Sequence, residues 1–358
     1  MAGTVQEETL GVALEAMGLS KLSDIQKVER LSDDDQCRMY KVYVDGRALL
    51  VRSSSKDGCA AAHFYATTAA RCLPNFRPKV LGYDVERGIL VEEWLDPGEY
   101  KSLAHQLWHE PTSDGWSTSF SADEFRGVDF ESTLSDAGQK IGRIHSATRG
   151  LAPFAGGVRP LTRQDKPFEI LLRAAKLHPH VANRLGAVAE QSERGETVLL
   201  HGCLSPGSVL FNQDMFSEDH VAIISSHHSA PGDPAVDLAH MMAHLFVAAV
   251  RGGSSILVTS ARGFQAGYAQ TIEGLDKLAI MYRAGPLTVA FMLGLLEDPQ
   301  ISGLLDDRAK QDILDFSQWW LGRRDYTLGQ VGYALWDAVD LGVIDWREKF
   351  KSLPRAND

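Results

Sequence analysis

The sequence predicts an α+β protein of two unequal lobes: a small β-rich lobe over 1–95 and a large helical lobe over 96–358. Three observations predict it. Alternating apolar runs and a hairpin signal lie before residue 95. Helical periodicity dominates the second half. Between them Leu95-Asp96-Pro97-Gly98 breaks the pattern as a hinge does.

In order, Thr9 to Met17 carries apolar residues at helical spacing. Met39 to Val44 alternates, Asp45-Gly46 is a hairpin-turn signal, and Ala48 to Arg52 continues as a second strand. Ala60 to Cys72 is alanine-rich and predicts one long helix. Lys79 to Tyr83 and Gly88 to Trp94 read as two more strands. Beyond the hinge, Leu134, Ala137, Ile141 and Ile144 mark one face of an amphipathic helix over 134–147. Helices are also expected over 167–177, 181–191, 235–250, 254–271, 277–296, 307–320 and 328–341.

The totals fit a water-exposed globular chain of 358 residues, 44% apolar and 23% charged. A net charge of −11 disfavours nucleic acid and suits a basic protein, peptide or small cation. Cys37, Cys59, Cys72 and Cys203 form no Cys-x-x-Cys pair, which argues for reduced thiols rather than a zinc site or disulfide framework. The acidic Met1–Glu8 segment has no apolar core, so no signal peptide is expected. Asp237, His240 and His244 interrupt the most apolar stretch, so no membrane partner is expected and the location is cytoplasmic.

The most informative segment is Val198-Leu199-Leu200-His201-Gly202-Cys203-Leu204-Ser205-Pro206-Gly207-Ser208-Val209-Leu210-Phe211. It is followed by Ile223-Ile224-Ser225 and by Gly232-Asp233-Pro234-Ala235-Val236-Asp237-Leu238-Ala239. These segments resemble the catalytic and metal loops of the aminoglycoside phosphotransferase/choline kinase family, which shares its fold with the protein kinases. The resemblance implies a bilobal kinase-like fold. It also shows what has been replaced, since the family reads His-Gly-Asp-x-x-x-x-Asn and then an Ile-Asp pair.

On that resemblance Cys203 stands at the general-base Asp, Ser208 at the Asn metal ligand and Ser225 at the metal-binding Asp. His201 and Gly202 shape the loop, and Asp237 is the structural acid that accepts its backbone N–H groups. Leu31-Ser32-Asp33-Asp34-Asp35-Gln36-Cys37 matches the phosphate-covering loop, with Asp33 and Asp34 where the family has glycines. Carboxylates there repel a triphosphate. Arg52 matches the phosphate cation, and His63 the helix glutamate that pairs with it, which an imidazole cannot replace. Gly88 to Gly98, including Glu92, Glu93 and Trp94, looks like the linker whose backbone reads adenine.

Phosphoryl transfer needs a metal held by oxygens, a phosphate cradle and a carboxylate near the acceptor. The favoured expectation is therefore a pseudokinase-like binding or accessory subunit, within a peptide- or small-molecule-modifying complex, with a protein or peptide partner and no cofactor. One alternative is a divergent ATP- and Mg²⁺-dependent phosphotransferase that recruits Asp33, Asp35 or Asp233 and acts on a cationic small molecule or on Ser/Thr of a peptide. Another is a non-kinase enzyme using Cys203, His201 or His227.

Other features carry weaker signals. His227-His228, with His220 and His201, lacks an acid at ligand spacing. His240 and His244 share a helix face but sit among apolar residues, which predicts buried structural histidines. Trp319-Trp320 with Arg323-Arg324 offers a core packing or a partner surface. The polar stretch over 107–127 suits a lid or docking loop.

Overall fold

The computed structural model describes residues 2–31, 37–108, 130–152, 157–162, 165, 168–193, 195–212, 220–323 and 326–340. The expected Asp33–Asp35 loop, most of the 107–127 stretch, and Arg324 lie outside the described residues.

The first lobe is built on a five-stranded antiparallel sheet in the order β1-β2-β3-β5-β4. Its strands are β1 (Ile25–Arg30), β2 (Cys37–Val44), β3 (Arg47–Ser54), β4 (Val80–Asp84) and β5 (Ile89–Glu93). Asp45 and Gly46 both take positive φ, 49° and 74°, the backbone that a two-residue hairpin turn between β2 and β3 requires. Tyr40, Val42, Val44, Leu49, Val51, Ile89 and Val91 form one apolar face. Helix α1 (Ala2–Ala16) covers it with Leu10, Ala13 and Leu14. The other face, by the two-residue period, carries Met39, Lys41, Arg52, Leu90 and Glu92 toward the second lobe. Helix α2 (Lys56–Cys72) connects β3 to β4 and packs Cys59 and Ala62 on Leu90. Ser55 caps it by accepting from the Gly58 N–H at 3.1 Å.

After the linker come β6 (Tyr100–Ser102), α3 (Leu103–Trp108), α4 (Phe130–Ala147), α5 (Phe168–Leu177) and α6 (Ala182–Ser192). Short strands β7 (Val198–Leu200), β8 (Val209–Asn212), β9 (Val221–Ile223) and β10 (Ala230–Gly232) carry the loops between the lobes. Strand β7 pairs with β10, and β8 lies between β6 and β9. The remaining helices are α7 (Ala235–Gly252), α8 (Ser255–Thr271), α9 (Lys277–Leu295), α10 (Pro299–Ser302), α11 (Asp307–Leu321) and α12 (Leu328–Asp340). Asp276 and Asp306 cap α9 and α11 through the N–H groups of Ala279 and Ala309.

This is the α+β arrangement of a small sheet-based lobe and a large helical lobe that the sequence predicts. Helix α9 is long and apolar enough to cross a membrane by composition, which the sequence reading did not single out. Here it is the core helix of the second lobe, packed by α5, α7, α11 and α12. Helices α4 and α8 meet closely because Gly138 and Gly267 leave room for each other's backbone. A Cβ at either position would run into the carbonyl of Phe264 or of Ser135.

Candidate cleft between the lobes

Asp237 organises the loop after β7. It opens α7, where the helix dipole favours a carboxylate, and it is fully buried. The backbone N–H of His201 donates to its Oδ2 at 2.6 Å and that of Gly202 to its Oδ1 at 2.9 Å. His145 Nε2 lies 3.2 Å from Oδ2, and His145 Nδ1 lies 2.9 Å from the Tyr268 hydroxyl. Burial pushes the Asp237 carboxyl up, but the His145 hydrogen bond and the neighbouring histidines outweigh it and hold the group below its ordinary value.

Gly202 has φ of 81°, and a side chain there would strike the His228 carbonyl. His201 Nε2 donates to the Ile224 carbonyl at 2.7 Å, and burial keeps its imidazole less basic than usual. The Ser229 hydroxyl donates to the Ser226 carbonyl at 2.8 Å and lies 3.2 Å from that of His201. The loops around His201 and Ser225 are therefore tied together. His145 and Tyr268 were not among the residues singled out from sequence. The available signal was a histidine continuing the apolar face of α4 through Gly138 and Ile141.

Arg52 lies at the centre of the cleft and is 5% exposed. Its acidic partner comes from β5: Arg52 Nε is 2.8 Å from Glu92 Oε2. The Ser225 hydroxyl donates to Glu92 Oε1 at 2.8 Å, and the Arg52 guanidinium also donates to the Ser225 carbonyl. Burial outweighs the pull of Arg52 and Ser225 and holds the Glu92 carboxyl above its ordinary value. His63, the residue matched to the helix glutamate, stacks on Tyr83 of β4 with ring centroids 3.5 Å apart. Glu93 faces away from Glu92 on the strand and is held by Arg77 at 2.7 Å. Trp94 lies under Lys41, whose ammonium is 4.5 Å from its ring centroid.

The Ser208 hydroxyl donates to the Cys203 carbonyl at 3.4 Å, and Cys203 is half-buried beside it. The oxygens at the two positions that the resemblance matches to metal ligands, Ser208 and Ser225, are thus neutral hydroxyls already engaged within the chain. Magnesium sheds water reluctantly and prefers carboxylates, so this donor set does not fit it. Among the described residues no three His, Cys, Asp or Glu side chains gather as a metal-holding group. Asp233, an acid considered as a recruit, is gripped by Arg283 at 2.6 Å and caps Ala235 at 3.0 Å.

The histidine pairs separate. His227 and His228 line an interlobe cavity of about 510 Å³ with Ser55, Asp57, Arg159 and Asp165. His240 and His244 are buried side by side, and His240 Nδ1 donates to the Leu204 carbonyl at 2.7 Å. Trp320 is core, while Arg323 lies over Trp319 at 4.2 Å.

No family model matches the sequence, and no curated protein matches it. Solved structures do. APH(2")-IIIa in its GDP and kanamycin complex is 15% identical, with 86% of this chain and 96% of that one covered and a TM-score of 0.48. An ethanolamine kinase from Plasmodium vivax is 12% identical, with 94% and 87% covered and a TM-score of 0.46. Spectinomycin phosphotransferase APH(9)-Ia, in complex with ADP and spectinomycin, is 10% identical, with 92% and 98% covered and a TM-score of 0.46.

Proposed function

We propose that this chain is a kinase-shaped binding or accessory subunit that does not transfer phosphate from ATP. Its partner is a protein or peptide of basic character, within a complex that modifies a peptide or small molecule. The observation that carries the reading is the buried Arg52–Glu92–Ser225 network. A phosphate could recruit Arg52 only by drawing it from a carboxylate in a dry site. Separating such a pair costs about 3–5 kcal/mol, on the order of a hundredfold or more in affinity. Ser225 and Ser208 supply no negative oxygen to offset that cost. The net charge of −11 steers basic partners toward the surface.

Isothermal titration with ATP, with and without Mg²⁺, tests this reading. The expected result is no metal-dependent heat. Micromolar binding that disappears on chelation overturns it.

A further inference from the structure

A second cavity, of about 600 Å³, lies where the β2–β3 turn overhangs the linker. Its polar lining includes Lys41, Arg47, Glu93, Trp94 and Asp96, and Tyr43 adds a second aromatic ring. Of the acids here, Glu93 is paired with a cation, while Asp96 is exposed and keeps its charge. Glu93 accepts from Arg77 at 2.7 Å, and Asp96 accepts the Gly98 N–H at 2.7 Å. Glu29 lies opposite Lys41 in register; it is paired with Lys27 and also feels the charge of Lys41.

The donors are not paired in this way. Lys41 makes no ion pair among the described residues; its ammonium sits between two rings, 4.5 Å from Trp94 and 4.7 Å from Tyr43. Arg47 is exposed on the turn and likewise has no carboxylate partner among the described residues. The indole nitrogen of Trp94 is buried and donates to no acceptor. A buried donor left unmade costs about 1–3 kcal/mol, which an acceptor brought by a ligand would recover. Ala48, Leu49 and Leu81 supply the apolar wall.

We propose that this cavity binds a small aromatic carboxylate, with its oxygens on Lys41, Arg47 and the Trp94 N–H and its ring against the apolar wall and the tyrosine. An acidic protein would thereby hold an anion at one local cluster of unused donors. The inference does not rest on the proposed function, because the ligand needs neither nucleotide nor metal.

The test titrates benzoate into the full chain, reading tryptophan fluorescence and heat. Benzyl alcohol is the neutral control. Saturable benzoate binding is expected, weakened about tenfold in Lys41→Met and in Arg47→Met. The fluorescence change should disappear in Trp94→Phe. Arg47 lies on an exposed turn, so its variant remains informative should Lys41→Met fail to fold. Equal binding of benzyl alcohol, unchanged affinity in Arg47→Met, or no saturable benzoate binding overturns the proposal.

Discussion

Arg52 and Glu92 form a buried ion pair across neighbouring strands, with Nε 2.8 Å from Oε2 and exposures of 5% and 0%. The cation that the resemblance assigns to phosphate is held by a carboxylate of its own sheet. Glu92→Gln leaves a buried guanidinium without its counter-charge. We expect a loss of about 3–5 kcal/mol in urea denaturation. The double variant Arg52→Met/Glu92→Met should cost clearly less than the two single changes added together. Additive costs would show that the two groups do not act as a pair.

Asp237 supports the loop by accepting two backbone N–H groups and facing His145. Asparagine keeps one acceptor oxygen and loses the charge, so Asp237→Asn should cost about 2–3 kcal/mol at neutral pH. The sign with pH follows from its lowered titration. The stabilisation is fully present above the ordinary value of 3.8 and is lost as pH falls through the still lower folded value. Thermal melts should therefore show a constant gap between wild type and variant above about pH 5, narrowing in strong acid. A gap that closes near neutrality would assign the effect to another group.

Much of the fold was legible because its signals are local. The β2–β3 hairpin follows from alternation plus Asp45-Gly46, α4 and α7 follow from periodicity, and α9 follows from the length of its apolar run. Strand β1 was missed because Ile25-Gln26-Lys27-Val28-Glu29-Arg30 buries no full face, its residues being half-buried or exposed. Strands β6 to β10 are three or four residues long, too short for a period to register. In the cleft, Arg52, Cys203, Ser208 and Ser225 were assigned only through the resemblance of their segments to a known family. That Glu92 takes the place opposite Arg52 was not readable, because this contact joins residues forty positions apart through strand register.

Buried histidines lower the stability of the fold as pH falls below their ordinary titration range. His244 is packed beside His240 at 4.9 Å between ring centroids, and burial holds its imidazole far below the ordinary 6.5. Asp237 and Asp298 act on His240, pulling against the burial that lowers it. As pH falls below 6.5 the unfolded chain takes up protons that the folded His244 refuses, so stability declines. His244→Phe removes one such proton and an unpartnered Nδ1 atom. Its stability should fall less steeply between about pH 6.5 and 5, by up to about 1.4 kcal/mol per pH unit. Identical slopes in denaturation at several pH values would contradict this.

Asp312 on α11 gives the opposite sign. Burial raises its carboxyl to about 6, against the pull of Arg308 and with a further push from Asp315 and Asp306. The folded state keeps this proton where the unfolded chain, at 3.8, has released it. The ionised group therefore burdens the fold increasingly as pH rises from 3.8 to about 6, and by a constant amount above that. Asp312→Asn relieves the burden, so the variant should melt higher than wild type at neutral pH and match it near the lower end of that window. The contact to Arg308 is long, at 3.8 Å, and that arginine is largely exposed, so little attraction is lost with the charge. A variant that melts lower than wild type at neutral pH would show that the Arg308 pair outweighs the burial of Asp312.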